Sequence, residues 1–525
     1  MPMKKISLIV LALVFTMVVA ACGGGNKGTA SSPPAPASSS GNSAQPSNSK
    51  APEVEKPVEF SWSTLLWNEP PNVEKSPFYQ ELFKRLNAKI DYEFVPSSNY
   101  SDKINLALSS NSLADVTTVK QTNETTIVSA IRQGAFWELD SLLGDFSNYP
   151  NLAKIPKDIY DFSKVDGKIY GIPNTTGDTA IAIVIRKDWL DRLQLEVPTT
   201  LAEFEAVLKA FATQDPDNNG KNDTIPLGVS TEYMDMAGNV IAASFGVNKP
   251  QFEGDQMLLQ WMTPEYAGYL EQMRNWYGQG LLPKEFPVLK FRQDIDLFQQ
   301  GTVGAFGVPI HEIWGIEQEL IKNNPNGKLV AIAPMQGPAG YTAYNNSSGY
   351  YGAFMIPKSV SEEKAVRILR VLDQSASEDI NEFFKFGIEG THHKVEGGEK
   401  KIDADAVQRD IGVAYTIVNS YDKYKSFSSI SSAPEDAVKG LMGTLDQYQA
   451  KMGDYPMNPF SGLISDTNNK RSADLFKDLT TNQNKTVMGQ MTMDDWNAYV
   501  QKMKQNTEVQ QIMKEFESQY KLKNP

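Results

Sequence analysis

A single cysteine, Cys22, in a chain of 525 residues removes disulfides and cysteine-ligated metal clusters from the ways this protein can hold its fold. Cys22 stands directly after a leader made of Lys4 and Lys5, an apolar run from Ile6 to Val19, and the small residues Ala20 and Ala21. Residues 1–21 read as an export signal that takes no part in the fold. The rest of the chain must be held by burial of apolar surface and by whatever ions its loops can bind.

The sequence Val19-Ala20-Ala21-Cys22 resembles a bacterial lipobox, which implies cleavage before Cys22 and a diacylglyceryl group on its sulfur. Stable membrane attachment needs two acyl chains, and this modification supplies them. Residues 23–57 are Gly, Ser, Ala, Pro, Asn and Gln with almost no large apolar side chain, so residues 22–57 read as the lipidated cysteine that this resemblance implies followed by a disordered linker. As a flexible coil this linker spans roughly 30–35 Å, enough to hold a folded body clear of the membrane. The formal charge is −13, with no basic stripe to offset it, which disfavours a nucleic-acid partner. No second long apolar run comes after the leader, so the mature chain is read as anchored and not spanning.

Roughly 470 residues remain, enough for two or three domains. Val58 to Leu66 alternates like a strand and ends in Trp67-Asn68-Glu69-Pro70-Pro71. Ser76 and Pro77 open a helix with Phe78, Leu82, Phe83 and Leu86 on one face. Next come an extended segment at Ile90 to Val95, a helix around Asp102 to Leu108 and a strand at Asp115 to Val119, and this β-α-β-α-β order predicts a mostly parallel sheet. A second unit starts near Gly171. Ala180 to Ile185 is a β-branched run, and Thr200 with Glu203 makes a capping box for a helix whose apolar face is Phe204, Val207, Leu208 and Phe211. Further helices are predicted at Pro264 to Tyr277, Ser361 to Leu372, Met493 to Lys504 and Glu508 to Tyr520.

Directly after the capped helix the chain reads Asp-Pro-Asp-Asn-Asn-Gly-Lys-Asn-Asp, from Asp215 to Asp223. Asp215, Asp217 and Asn219 fit the first three side-chain positions of a calcium loop, Gly220 its turn, Lys221 its backbone carbonyl and Asp223 its ninth position. The twelfth position is Pro226 and not a bidentate Glu, so the loop is EF-hand-like and not an EF-hand. The same residue types also make ordinary solvated turns.

Gly171-Ile172-Pro173, Arg186-Lys187-Asp188-Trp189-Leu190, Val197 to Phe204, Asp215 to Gly228, Phe298 to Gly301 before Val303-Gly304-Ala305, Gly387 to Gly390 and Asp495 to Tyr499 together resemble the extracellular solute-binding proteins of sugar ABC importers. Within these, the pattern is similar to lipoproteins related to alginate- and oligosaccharide-binding proteins, over essentially all of residues 58–525. The resemblance implies an α/β, two-lobed periplasmic-binding-protein-like fold of class II, each lobe a mostly parallel sheet flanked by helices, with hinge crossovers. Residues 58–176 and 345–390 would form lobe 1, and 177–344 and 391–525 lobe 2 with the calcium loop. It implies a monomer that closes around an oligosaccharide and presents it to a membrane permease. It also implies structural calcium held by Asp215, Asp217, Asn219, the Lys221 carbonyl and Asp223, with Thr224 standing where many relatives have Glu and lowering the affinity.

A sugar offers an apolar C–H face and a rim of hydroxyls, so its site needs aromatic platforms edged by planar polar groups. By the family topology the cleft loops carry Trp67 and Asn68, Lys120 and Gln121, Glu232 and Tyr233, His311 and Trp314, Tyr350 and Tyr351, and Glu389. Arg186 joins this set, although it opens a helix that its charge also caps; Trp189 reads as core. His392 and His393 are adjacent and point apart, poor geometry for one metal ion. A cell-surface glycosidase or lyase would instead pair Glu389 with Glu232, roughly 5 to 10 Å apart. Against it stand the missing Gly-x-Ser-x-Gly and His-Glu-x-x-His motifs and a total of three histidines, so the chain is read as binding without turnover. A partner-binding surface lipoprotein is the third reading.

Overall fold

In the computed structural model, which describes residues 56–66, 69–221, 223–230, 236–290, 292–345, 349–412, 415–430, 433–452 and 459–524, residues 56–525 form one unit built on two sheets. The first sheet runs in the order Ala88–Pro96, Val58–Leu66, Val116–Val119, Tyr350–Met355, Ile172–Thr175. Its first three strands are parallel, with Trp62 opposite both Tyr92 and Val116. Val58, Phe60 and Trp62 are buried while Glu59 faces out, after which the strand is buried on both faces, as expected for the middle of a helix-covered sheet. The Trp62 indole N–H finds Thr118 Oγ1 at 3.2 Å, so its burial leaves no donor unpaired. Ser76 caps the helix Pro77–Arg85 by accepting from the Tyr79 N–H, and Phe78, Tyr79 and Leu82 enter the core.

The second sheet has the order Leu329–Ala331, Ala180–Arg186, Val303–Pro309, Ile225–Leu227. Ala180–Arg186 is buried along its whole length because helices cover both faces. Ile181, Ile183 and Ile185 meet Trp189, Phe204, Leu208 and Phe211, and the alternate residues Ala180, Ala182 and Val184 meet Phe298, Phe306 and Ile316. The capping box of Thr200 and Glu203 is formed at the head of Leu201–Thr213.

The two-sheet α/β class agrees with the expectation, but the parallel character does not extend to the second sheet. There only Val303–Pro309 with Ile225–Leu227 is parallel, while Ala180–Arg186 runs against both neighbours. The chain enters this sheet directly from the first one, at residues 176–179, with no helix between Ile172–Thr175 and Ala180–Arg186. A second correction concerns residues 391–421, expected in the second lobe. Ile411, Ile417 and Val418 lie in the first core, and Ser76 Oγ, Tyr79 Oη and Tyr92 Oη donate to the carbonyls of Asp410, Ile411 and Thr416. No helix among the described residues is long and apolar enough to cross a membrane.

Asp294, near the start of the helix Gln293–Gln299, is buried, and desolvation pushes its carboxyl up to about 6. The folded state therefore takes up a proton as pH falls through 6 towards the unfolded value near 4, and stability declines as pH rises through that window. Asp294→Asn should raise the unfolding free energy by about 1–3 kcal/mol at pH 7 and change it little at pH 4. Urea titrations at the two pH values measure the difference, and an equal effect at both would refute the assignment.

Candidate functional site

Where strands of the two sheets end, their loops enclose a cavity of about 1130 Å³. Leu65 reaches it at the end of Val58–Leu66, Lys120 to Asn123 come after Val116–Val119, and Thr175 ends Ile172–Thr175. His311 comes from just beyond Val303–Pro309, and Tyr350 and Tyr351 start the antiparallel strand of the first sheet. Ligands of open α/β sheets bind outside the carboxyl ends of strands, and this cavity obeys that rule. The segment 415–430 closes another side with Tyr415, Asn419, Lys425 and Ser426, and Phe460 to Gly462 complete the rim.

The lining alternates rings with neutral polar groups. Phe162 stacks on Tyr350 at 5.6 Å, and Tyr351 meets Tyr415 edge-on at 5.2 Å. Burial raises both the Tyr350 and Tyr415 phenols, so they stay protonated hydrogen-bond donors. Asn419 Nδ2 donates to Asn174 Oδ1 and to the Thr175 carbonyl, both at 3.1 Å, and Thr175 Oγ1 donates back to the Asn419 carbonyl at 2.9 Å. His311 Nδ1 lies 3.3 Å from Thr179 Oγ1; desolvation holds its ring below the ordinary histidine value, against the pull of Glu312, so it is neutral at pH 7. Lys120 Nζ donates to the Ser97 carbonyl at 2.9 Å and Lys425 Nζ to Asn381 Oδ1 at 3.1 Å. Among the described residues no Asp or Glu lines the cavity.

Two segments passing between the sheets are pressed together beside it. A Cβ on Gly177 would stand 2.6 Å from the Ser426 backbone nitrogen and 2.7 Å from that of Lys425. Asp178 N–H donates to the Lys423 carbonyl, Ser426 Oγ donates to the Asp178 carbonyl, and Tyr421 Oη and Gln449 Nε2 donate to the Asp178 carboxylate at 3.2 and 2.7 Å.

Of the residues expected at the cleft, the structure brings Lys120, Gln121, His311, Tyr350 and Tyr351 to this one cavity. Trp67, Asn68, Glu232 and Tyr233 lie outside the described residues. Arg186 is placed elsewhere: only 1% exposed, it is clamped on both Asp188 carboxylate oxygens at 2.8 and 2.5 Å and lies over the Trp189 ring. A guanidinium buried so fully needs that bidentate partner and has no face left for a solute. Glu389 sits in a separate groove of about 630 Å³ on the first lobe with Pro77, Gln80 and Lys400, because positive φ at Gly387 and Gly390 turns the chain there. Trp314, half-buried in the helix Ile313–Asn323, is not part of the lining. His392 and His393 take different partners, Asp410 and the Phe386 carbonyl. Sequence reasoning missed Thr122, Asn123, Phe162, Thr175, Tyr415, Asn419, Lys425, Ser426 and Phe460; only the density of Ser, Tyr and Asn in 415–430, without strand or helix period, distinguishes any of them.

The Asp215 to Asp223 loop is built around Asn219. Its N–H donates to Asp215 Oδ1 at 3.0 Å, and its Nδ2 donates to Asp217 Oδ2 at 2.7 Å and Asp223 Oδ1 at 2.9 Å. Gly220 N–H donates to Asp215 Oδ2, and Asp215, Asn218 and Gly220 take positive φ to make the winding. Desolvation, then the hydrogen bond and charge of Asp215 and the charge of Asp223, hold the Asp217 carboxyl above its ordinary value. Among the described residues no three His, Cys, Asp or Glu side chains stand in a metal-binding arrangement, and the Asn219 amide nitrogen bridges two of the carboxylates here. Rotating that amide by half a turn would exchange its nitrogen for an oxygen, so the donor set fits a calcium ion in composition.

Two helix-covered sheets linked by direct crossovers, with a cavity lined from both, define a solute-binding protein of the two-lobed kind. Residues 70–373 match the family model described as bacterial extracellular solute-binding protein, and the chain belongs to that family. It is 29% identical over 473 residues to the polygalacturonan/rhamnogalacturonan-binding protein YtcQ of Bacillus subtilis, covering 88% of this chain and 91% of that one. It is 26% identical over 314 residues, 54% of each chain, to the fructooligosaccharide ABC transporter substrate-binding protein FusA of Streptococcus pneumoniae. The crystal structure of the alginate-binding protein AlgQ2 without calcium ion shares the fold, with a TM-score of 0.61 at 19% identity over 89% of this chain and 98% of that one.

The contact at Gly177 yields a direct test. Gly177→Ala should lower the unfolding free energy by roughly 1–3 kcal/mol, because the methyl group meets backbone that cannot move aside. Gly440→Ala, inside the helix Glu435–Met452 where an added Cβ meets nothing, should be neutral or stabilising. Denaturant titration compares them, and equal stabilities would show that the two segments are not tightly apposed.

Proposed function

We propose that the protein is a lipid-anchored monomer that captures an oligosaccharide in the cavity and hands it to the membrane permease of an ABC importer. The observation that carries this reading is the lining itself, in which tyrosine and phenylalanine rings alternate with hydroxyl, amide and imidazole groups. Such surfaces suit the apolar face and hydroxyl rim of sugar rings. A volume of about 1130 Å³ lies just above the usual range of small-ligand sites, which favours a ligand of several rings over a single one. YtcQ and FusA are named for binding polygalacturonan or rhamnogalacturonan and a fructooligosaccharide, which supports carbohydrate as the class. The anchor is the lipid on Cys22, which lies outside the described residues together with the leader. Binding without turnover is the reading that the relatives support, since YtcQ and FusA are named as binding proteins.

Titration calorimetry against a panel of oligosaccharides should find a reversible ligand, and chromatography of the same mixtures should recover it intact. Release of shorter products would overturn the binding reading in favour of an enzyme. Tyr351, 46% exposed and edge-on to Tyr415, is the aromatic platform most open to the ligand. Tyr351→Ala should weaken binding by about 0.5–1.5 kcal/mol or more while leaving the fold intact; unchanged affinity removes Tyr351 from the site.

Calcium is the second part of the proposal, held by Asp215, Asp217, Asn219, the Lys221 carbonyl and Asp223. Desolvation first, and then the neighbouring Asp215 and Asp223, hold the Asp217 carboxyl above its ordinary value, which supports a missing counter-charge. The ion would pin the connection between the helix Leu201–Thr213 and the strand Ile225–Leu227, with Thr224 tied to the Phe211 carbonyl in place of supplying a ligand. EDTA should lower the melting temperature and added calcium restore it, since an ion that binds the native state stabilises by mass action. A melting temperature indifferent to both would remove calcium from the protein.

A further inference from the structure

Residues 460–469 reach from the second lobe to the first, and two neighbouring side chains among them anchor in opposite cores. Leu463 lies in the second-lobe core with Ile512 and Phe516, while Ile464, only 4% exposed, lies among Leu65, Ile127 and Ile131 of the first lobe. Three further contacts cross the same gap. Asp466 accepts from Arg132 Nη1 at 2.7 Å, Asn469 Nδ2 donates to the Asn123 carbonyl at 3.1 Å, and Lys523 Nζ stands 5.1 Å from the centre of the Phe162 ring. Phe460 to Gly462, just ahead, line the cavity together with that ring.

Both sides of this contact are braced. On the first lobe Arg132 ends the helix Thr125–Arg132, and its Nε and Nη2 donate to the two Asp166 carboxylate oxygens at 2.9 and 3.0 Å, which leaves Nη1 for Asp466. On the second, Glu515 in the helix Thr507–Lys523 accepts from Ser465 Oγ, the Thr467 N–H and Thr467 Oγ1 at 2.6, 2.9 and 2.8 Å, and so fixes the start of the helix Asp466–Leu475. The Phe460 ring meets Phe516 edge-on at 5.0 Å. The contact also differs in kind from the crossing at Gly177. Leu445 and Tyr448 before it and Leu475 and Phe476 after it all pack in the second lobe, so its hold on the first lobe can be broken without stretching the backbone.

We propose that residues 460–469 are a latch that holds the two lobes together over the cavity before any solute arrives. When the lobes part, Ile464 leaves the first core, Asp466 leaves Arg132, and the wall made by Phe460 to Gly462 withdraws with the second lobe, while the crossing at Gly177 bends. The apolar plug supplies most of the hold. The ion pair, with Arg132 37% and Asp466 45% exposed, contributes less and makes the hold sensitive to salt. This goes beyond the capture reading, since it concerns the resting arrangement of the lobes and not the chemistry of the solute.

The test is small-angle X-ray scattering of the full chain without ligand. Ile464→Ala combined with Asp466→Asn should enlarge the radius of gyration, while the near-ultraviolet circular dichroism of the buried tryptophans stays that of folded lobes. A merely structural loss would lower the urea midpoint and leave the radius in buffer unchanged. Raising sodium chloride from about 0.05 to about 0.5 M should expand the unaltered chain and Asp466→Glu, which keeps the charge, but not Asp466→Asn. A double variant with the radius of the unaltered chain overturns the proposal, and so does a salt response that Asp466→Asn shares with the unaltered chain.

Discussion

The close approach of Gly177 to the backbone of Lys425 and Ser426 is the constraint on which the site depends. One strand leaves the first sheet at Thr175 and enters the second at Ala180, leaving four residues to cross the gap. The returning segment anchors in the first lobe through Asn419 and in the second through Phe427 and Ile430. Asp178 fastens the two passes from both backbone and side chain, accepting from Tyr421 and Gln449. A bend between the lobes would involve these residues together with the third pass, from Tyr344–Asn345 in the second sheet to Tyr350–Met355 in the first. The cavity groups carried by the same residues, Thr175 to Thr179 and Asn419 to Ser426, will move with the bend.

With no disulfide available, each lobe is held by its own apolar core. In the first, Trp62, Phe78, Tyr79 and Phe354 meet around the parallel strands; in the second, Trp189, Phe204, Trp276 and Trp496 gather on one face of the sheet. Trp276 uses its N–H on Glu205, and Tyr266 receives the amide of Gln483, so large rings are buried without stranding their polar atoms. The C-terminal helices Met493–Lys504 and Thr507–Lys523 contribute Trp496, Val500, Ile512 and Phe516 to the second core, which makes that lobe the larger.

Local chemistry made much of this legible in the sequence. Strand and helix periodicities placed Val58–Leu66, Ala180–Arg186 and Leu201–Thr213, and the capping pair Thr200 and Glu203 fixed the start of the last within a residue. What was illegible depends on contacts far apart in the chain. Residues 415–421 have no period because they are neither helix nor strand; tyrosines and a threonine of the first lobe hold the carbonyls of this stretch and of Ile411 just before it one by one. Arg186 looked available from its neighbours in sequence, but Asp188, two residues on, had already claimed it. Glu389 comes after a helix that ends in a groove of the first lobe apart from the cavity, which no spacing along the chain reveals.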